Sequence, residues 1–284
     1  PPETAPNLLQ LIARADLVAR VRVVEGALKH AIVEVLEAVK GTPPAPRLRI
    51  AFRDWNFDRP AGIDPIVFAD GEESILLLKP ASARRKGKDG DLFDLLEGPR
   101  GRLPIPPEGA APVVDAARDL TAVAIADPST QRRLLSERLR SVNPFLLLAV
   151  LAELDRLGGA APDDLPALLA LVRSPRSPVR AGALVLLGRL FRTGASGVEV
   201  RAGASSGDPF PDQLRAALAA VIESARNDPE VPVRVAAVAA MGKWPTGSDT
   251  TQELRAIAGA DPDQAVRYEA ERILFKMKYG DSMK

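Results

Sequence analysis

The chain has 284 residues, 46% of them hydrophobic, and this length and apolar content predict two packed domains. Its 38 Lys and Arg residues nearly balance 37 Asp and Glu residues, so no strong overall field would attract nucleic acid or an acidic membrane. There is no cysteine and one histidine, which excludes disulfides, thiolate catalysis, zinc–thiolate sites and multi-histidine metal sites.

No run of about 20 apolar residues occurs, so the sequence predicts no transmembrane segment. The chain begins with Pro1-Pro2-Glu3 rather than with Met, and this start favours a processed or trimmed chain. The single histidine, His30, precedes an apolar strand-like segment, where we expect a plain surface residue rather than a general base.

A small β-barrel domain is predicted over residues 1–106. A short helix is expected at residues 8–15, and alternating or short apolar segments bounded by Gly and Pro then indicate strands. These strand-like segments are residues 16–25, 30–40, 47–52, 73–80, 92–96 and 101–105, the fourth of which reads as fully buried. Five or six short strands with such punctuation are typical of a small barrel.

The first candidate contact loop of the barrel runs from Arg53 to Pro60. It concentrates Trp55 and Phe57 beside Arg53 and Arg59, and aromatic residues with Arg are the composition of an interface hot spot. The alternative interpretation is that the two aromatic residues cap the bottom of the barrel.

The second candidate contact loop is a basic tip over residues 83–90. It contains Arg84, Arg85, Lys86 and Lys88, which could contact phosphates or an acidic protein partner. Such a tip is also typical of a solvated hairpin turn. No phosphate-cradling loop is predicted here, because no helix with Lys-Ser/Thr follows the glycines.

A repeated motif begins in the second half of the chain. Residues 178–183, 232–237 and 265–270 carry a Val-Arg pair followed by Ala, and residues 144–149 are a weaker copy. The copies start 34, 54 and 33 residues apart, so the period is close to 34 except for one interval that is about 20 residues too long. A polar stretch at about residues 193–211 accounts for the excess and is predicted to be an insertion, most simply a flexible spacer.

Each repeat is predicted to be a pair of helices, which together form an α-solenoid over residues 107–284. The second helix of each pair carries the motif, and in residues 178–190 the apolar positions recur at helical spacing. The first helices are expected at residues 165–172, 213–226 and 251–258.

The motifs resemble those of HEAT repeats, in which Asp-Pro is followed by Val-Arg and then by Ala. The resemblance is good from Asp228 and Asp261 onwards, and it is partial at the repeat of residues 178–183, which lacks the Asp. It implies that Arg180, Arg234 and Arg267, together with these Asp residues, make stacking contacts between repeats rather than an active site.

Residues 7–105 resemble a β-barrel module of bacterial exported proteins that is related to OB folds and netrin/TIMP-like domains. The resemblance is carried by residues 15–18, 33–35, 39–41 and 71–78. Metalloprotease inhibitors of that class use an N-terminal cysteine on the target zinc, and this chain has none, so that inhibitory mechanism is not expected.

From these features we expect a non-catalytic protein-interaction or scaffold protein, with no catalytic residue, cofactor or metal site. The barrel would dock on one protein and the solenoid on another, in the periplasm or outside the cell, in the manner of an accessory subunit of an envelope complex. A lipid-modified cysteine upstream of Pro1 would add peripheral membrane attachment. The alternatives are an enzyme that uses carboxylate or Lys chemistry on the solenoid, and a hydrolase inhibitor that acts through the barrel.

Overall fold

The computed structural model describes residues 7–27, 29–52, 55–56, 65–81, 92–197, 210–244 and 248–279. The chain divides into two compact units, Pro1–Gln131 and Arg132–Lys284. The strands lie in the first unit and most of the helices in the second.

Six strands form one sheet in the first unit. They are β1 (Leu17–Gly26), β2 (His30–Lys40), β3 (Arg47–Ala51), β4 (Glu73–Pro80), β5 (Leu92–Leu95) and β6 (Arg102–Pro104). Their order is β1-β2-β3-β5-β4-β6, and β1 also pairs with β4, so five strands close a barrel while β6 extends from β4. Strands β3 and β5 run parallel, and the other pairs are antiparallel. The predicted small barrel is thereby confirmed.

Strand β1 closes the barrel because it is hydrogen-bonded along both of its edges. Val21 is paired with Val35 of β2 on one side and with Ser74 of β4 on the other. Register shifts interrupt the β1–β2 ladder at three places, and such irregularities increase the local bend and twist of a strand. A strand that curves in this way can pair with β2 along one edge and with β4 along the other, and so close a narrow barrel.

The barrel interior is filled by alternate side chains of its strands, as the sequence pattern predicts. On β1, Leu17, Ala19, Val21 and Val23 are buried in the core, whereas Arg22 is exposed. Strand β4 differs because Ile75 through Leu78 are all fully buried, so it has apolar contacts on both faces. The expectation that the fourth strand is buried is therefore correct.

Helix α1 (Leu8–Arg14) precedes the barrel and is anchored to it by Lys40. The Lys40 ammonium donates to the carbonyls of Ile12 at 2.7 Å, Ala13 at 3.0 Å and Ala15 at 2.5 Å. A seven-residue helix is unstable by itself, so these bonds to its unpaired C-terminal carbonyls fasten it to the end of β2. The next residue, Gly41, has φ +76° and packs against the Asp16 carbonyl so closely that a Cβ atom would collide with it.

Replacing Lys40 with Met should lower the free energy of unfolding by about 1–3 kcal/mol, because three carbonyls lose a charged donor. Urea unfolding of the full chain, followed by circular dichroism, measures the change. Lys29→Met is the matched control, since Lys29 is exposed at the start of the same hairpin. An equal effect of both substitutions would contradict the anchoring role of Lys40.

Helix α2 (Ala111–Ala124) follows the strands and packs against α1 and β2. Its buried residues, including Val113, Ala117 and Leu120, recur at helical spacing along one face. The sequence-based boundary at residue 106 marks the end of the strands, whereas the boundary between compact units falls after Gln131. The two positions differ because α2 is helical but belongs by its contacts to the barrel.

Eight more helices follow within the described residues. They are α3 (Pro128–Arg138), α4 (Pro144–Arg156), α5 (Leu165–Leu171), α6 (Ser177–Gly197), α7 (Phe210–Asn227), α8 (Val231–Met241), α9 (Ser248–Ala260) and α10 (Gln264–Tyr279). Among the helices that the structure describes, none has the length and apolar composition needed to cross a membrane.

The helices that carry the repeated motif pack in series. Helix α4 contacts α6, α6 contacts α8, and α8 contacts α10. Helices α6, α8 and α10 also pack against the helices that precede them in their own pairs, α5, α7 and α9. The partner helices α5, α7 and α9 contact one another in the same order. The second unit is therefore helical, with helix pairs that contact their neighbours in chain order.

Two glycines let the motif helices approach closely. A Cβ atom on Gly188 of α6 would lie 2.9 Å from the Cα atom of Ala240 on α8. A Cβ atom on Gly242, at the end of α8, would lie 2.7 Å from the Cγ2 atom of Ile273 on α10. The absence of a side chain at each position is thus part of the contact between successive helices.

Replacing Gly188 with Leu should cost about 2 kcal/mol or more, because the added side chain meets the backbone of α8. Gly259→Leu is the control, since a Cβ atom at that helical glycine has open space around it and Leu favours a helix. Thermal unfolding of the two variants should move in opposite directions. A neutral Gly188→Leu variant would contradict the close approach.

The polar stretch predicted as an insertion is partly helical. Residues 193–197 continue α6, and residues 210–211 begin α7, while residues 198–209, including the proposed short strand at 198–201, lie outside the described residues. The helix continues because no proline interrupts it, and Pro211 is tolerated in a first helical turn, where backbone N–H groups have no partner in the helix. The expected spacer is correspondingly shorter.

Candidate functional site

The Arg of the first Val-Arg motif, Arg180, is hydrogen-bonded to the following repeat. Arg180 donates from Nε to Oδ2 of Asp228 at 2.7 Å and from Nη2 to Oδ1 at 2.8 Å. Its Nη1 donates to the Ser174 carbonyl at 2.9 Å, in the turn before its own helix. The two side chains are 12% and 8% exposed, so this fork-to-fork pair is largely withdrawn from water.

Arg234 repeats the same geometry one helix pair later. It donates from Nε and Nη2 to the two carboxylate oxygens of Asp261 at 3.0 and 3.2 Å, and from Nη1 to the Asp228 carbonyl at 3.0 Å. Each Asp also accepts a backbone N–H two residues ahead in its turn. These are the Arg–Asp contacts between successive repeats that the motif predicts, so the charges hold helix pairs together.

The pairing changes the ionisation of both groups. Its hydrogen bond to Asp228 raises the pKa of Arg180. Burial alone would raise the pKa of the Asp228 carboxyl, but the bonds from Arg180 and from its own turn outweigh burial and hold that pKa below its usual range. A carboxylate with a lowered pKa is a stable ion-pair partner and a poor general acid.

The barrel loop around Trp55 is pinned to the core. Asn56 is buried and exchanges two hydrogen bonds with the backbone of Ile66, at 3.0 and 2.7 Å. Trp55 is partly buried, packs against the barrel core, and lies against Gly98, whose φ of +60° and missing side chain make room for the indole ring. This placement favours the interpretation that Trp55 caps the barrel.

The other predicted contact residues lie outside the described residues. In the first loop these are Arg53, Phe57 and Arg59, and in the basic tip they are Arg84, Arg85, Lys86 and Lys88. Their role in binding a partner stays a prediction. His30 begins β2, partly buried, and pairs with Ala51 of β3.

The adjacent carboxylates of the barrel form ion pairs on its surface. Glu72 bonds Arg102, and Glu73 bonds Arg20 at 2.6 Å and Arg22 at 2.8 Å. Burial would raise the pKa of Glu72, but the bonds from Arg102 and neighbouring donors outweigh it and lower that pKa. The bond from Arg20, followed by that from Arg22, lowers the pKa of Glu73. Both carboxylates are therefore held in their charged form, in which they pair with arginine.

The second pair of adjacent carboxylates, Asp163 and Asp164, lies in the turn before α5, as predicted for acidic residues at a helix start. Asp164 is buried and accepts hydrogen bonds from the Ala161 N–H at 2.8 Å and from the Ser136 hydroxyl at 3.2 Å. It thereby ties α3 to the turn that leads into α5. Across the described residues, no group of three or more His, Cys, Asp or Glu side chains is placed to hold a metal ion.

A groove between α5 and α7 was not predicted from the sequence. It has a volume of about 550 Å³, with Val172 and Arg173 on one side and Ala216, Ala219 and Ala220 on the other. Its lining is completed by Glu223, Ser224, Asn227, Asp228 and Pro229. The sequence signal was present, because three alanines at i, i+3 and i+4 spacing leave one face of α7 without bulk.

No protein-family model matches the chain, and no curated protein is significantly similar to it.

Replacing Asp228 with Asn should destabilise the protein by about 3 kcal/mol at pH 7, because Arg180 would be left buried beside a neutral group. The folded-state pKa of Asp228 is lowered, so its stabilising contribution is present above about pH 4 and is lost as pH falls through the folded-state value. The difference in stability between wild type and Asp228→Asn should therefore shrink toward pH 2.

Urea unfolding at several pH values tests this expectation. Glu271→Gln is the control, since Glu271 is exposed on α10, and its substitution should change stability by no more than about 0.5 kcal/mol. A difference between wild type and Asp228→Asn that stays constant from pH 7 to pH 2 would contradict the ion-pair argument.

Proposed function

We propose that this chain is a non-catalytic protein-binding scaffold, made of an OB- or netrin/TIMP-like barrel and a HEAT-like α-solenoid. The observation that carries the proposal is the repeated Arg–Asp pairing of Arg180 with Asp228 and of Arg234 with Asp261. In a stacked array of this kind each repeat contacts its neighbours, and the open side of the stack becomes an extended binding surface.

Three features support the HEAT-like architecture. The motif helices pack in series, the ion pairs join each motif to the next, and glycines occur at the points of closest approach. The sequence period near 34 residues agrees with this packing order. Because the bidentate ion pairs hold successive helix pairs together, the outward side chains of the stack are not needed for stacking and remain available to bind a partner.

The barrel proposal rests on strand order. A closed five-strand barrel with β1 paired to both β2 and β4, and with β3 parallel to β5, supports an OB-like module. The resemblance to exported modules supports a periplasmic or secreted location and a role as an accessory subunit of an envelope complex. The alternative of an inhibitor that inserts a protruding Trp55 gains no support, because that side chain packs against the barrel core.

The groove between α5 and α7 is the proposed binding site for a segment of a protein partner. It lies between two neighbouring repeats, and its lining combines the small side chains of α7 with polar and charged groups, namely Arg173, Glu223, Ser224, Asn227 and Asp228. A groove that combines small side chains with polar groups can receive a chain segment through packing and hydrogen bonds.

The test is affinity capture of partners from extracts of the source cells, followed by mass spectrometry, with the full chain as bait. Ala219→Lys places a long charged side chain in the groove at an exposed position. Ala256→Lys is the matched control, at an exposed position of α9 outside the groove lining.

We expect a partner that wild type and Ala256→Lys retain and that Ala219→Lys binds at least about tenfold more weakly in a purified assay. Circular dichroism should verify that all three proteins are equally folded. Retention of the same proteins by all three baits would exclude the groove as the site, and retention of no specific protein by any bait would contradict the scaffold proposal.

A further inference from the structure

The last described helix, α10, exposes a stripe of aromatic side chains. Tyr268 is 65% exposed, Phe275 57% and Tyr279 39%, and the first two are the most exposed aromatic residues that the structure describes. They are spaced by seven and four residues, so they lie on one face of the helix. Both tyrosines of the chain belong to this stripe, and the rings of Phe275 and Tyr279 are 4.7 Å apart.

The position of Phe275 in the repeat is informative. It lies 33 residues after Gly242, which lies 54 residues after Gly188, and these are the intervals that separate the motifs. The two glycines admit the next motif helix at close range. A phenylalanine at the third position prevents the same approach, so the exposed side of α10 does not suit another repeat stacked in the same way.

The third motif Arg makes the bonds to its own turn but lacks the two carboxylate bonds that its counterparts make. Arg267 donates from Nη1 to the carbonyls of Asp261 at 2.7 Å and Pro262 at 3.0 Å, just as Arg180 and Arg234 bind their own turns. In those two residues Nε and Nη2 hold the Asp of the next repeat. Among the described residues, no carboxylate takes that place beside Arg267.

The guanidinium of Arg267 is thereby held in the orientation that binds a carboxylate in the two preceding repeats. The Phe275 position, by repeat equivalence, faces the same side, because the glycines and the Arg–Asp pairs of α6 and α8 all face the following repeat. Exposed Lys276 and Lys278 add positive charge to this helix, whereas Arg272 is paired with Glu269. The face thus combines an oriented carboxylate receptor and aromatic surface with two nearby lysines.

We propose that this face of α10 binds an acidic amphipathic segment of a protein partner. One partner carboxylate is bound by Nε and Nη2 of Arg267, and apolar partner side chains pack on Tyr268, Phe275 and Tyr279. Arg267 and Phe275 are eight residues apart, which is roughly 12 Å along the helix, so the carboxylate and the apolar contact in the partner are separated by about that distance. Tyr, Phe and Arg at the centre of such a surface are typical binding hot spots.

This inference rests on the proposed function, since it names a second surface of the same scaffold and the chemistry of its partner. The two are separable because the groove and the α10 face have different residues. Loss of binding in α10 variants with an intact response to Ala219→Lys would support both proposals. If the α10 variants bind as wild type does while Ala219→Lys still weakens binding at the groove, this inference is wrong and the proposed function is unaffected.

The test is a selection from a displayed library of random 16-residue peptides against the full chain. We expect enriched peptides to carry Asp or Glu together with aromatic or aliphatic residues. Purified peptides should bind Arg267→Gln and Phe275→Ser at least about tenfold more weakly than wild type. Arg267→Lys should weaken binding similarly, because Lys retains the charge but lacks the two-pronged donor geometry.

Matched controls are Arg255→Gln, an exposed arginine on α9, and Val142→Ser, an exposed apolar residue elsewhere in the helical unit. Both should bind the selected peptides as wild type does. Equal binding by the α10 variants, or enrichment without acidic residues, would overturn the proposal. Light scattering of the free chain provides a further check, since a dimer that Phe275→Ser dissociates would identify a second copy as the occupant and would also overturn it.

Discussion

Cationic side chains that bind backbone carbonyls at the C-terminal ends of helices hold this molecule together. Lys40 does so for α1, Arg132 for α4, and Arg180, Arg234 and Arg267 for the turns after α5, α7 and α9. The last carbonyls of a helix have no intrahelical partner and carry partial negative charge, which Lys40 satisfies at α1. The four arginines bind carbonyls in the turns just beyond their helices and fix the path of the chain there. Helices that are too short to be stable by themselves can therefore form part of the fold.

The charged residues of the repeated motif are used to hold the fold together rather than to form its outer surface. In two of the turns the same guanidinium also reaches the Asp of the next repeat, so one side chain closes a turn and joins two helix pairs. The charged residues that stand out in the sequence are therefore largely occupied within the fold. The surfaces that we propose for binding are outward features, namely the groove beside α7 and the aromatic face of α10.

The sequence was a good guide to the elements and a poor one to the surfaces. Strand alternation located β1 through β6 within a residue or two, and the Val-Arg motif located the helices, because both signals are local periodicities that burial enforces. The alanine spacing marks a face of α7 without bulk, but it does not show which distant helix lies opposite that face, so the groove was not predicted. The first contact loop chosen from composition rested on Trp55, whose partial burial depends on Gly98 from another part of the chain.

The sequence by itself determined that the chain has a strand-rich first part and a repeated helical second part, because period and punctuation are properties of neighbouring residues. The resemblance of its motifs to HEAT repeats also implied the pairing of Arg180 and Arg234 with the Asp residues. Tertiary structure alone decided that β1 closes a barrel, that α2 belongs with that barrel, and that Arg267 has no Asp from a following repeat among the described residues. Those outcomes depend on which distant residues meet, and a local pattern carries no information about such meetings.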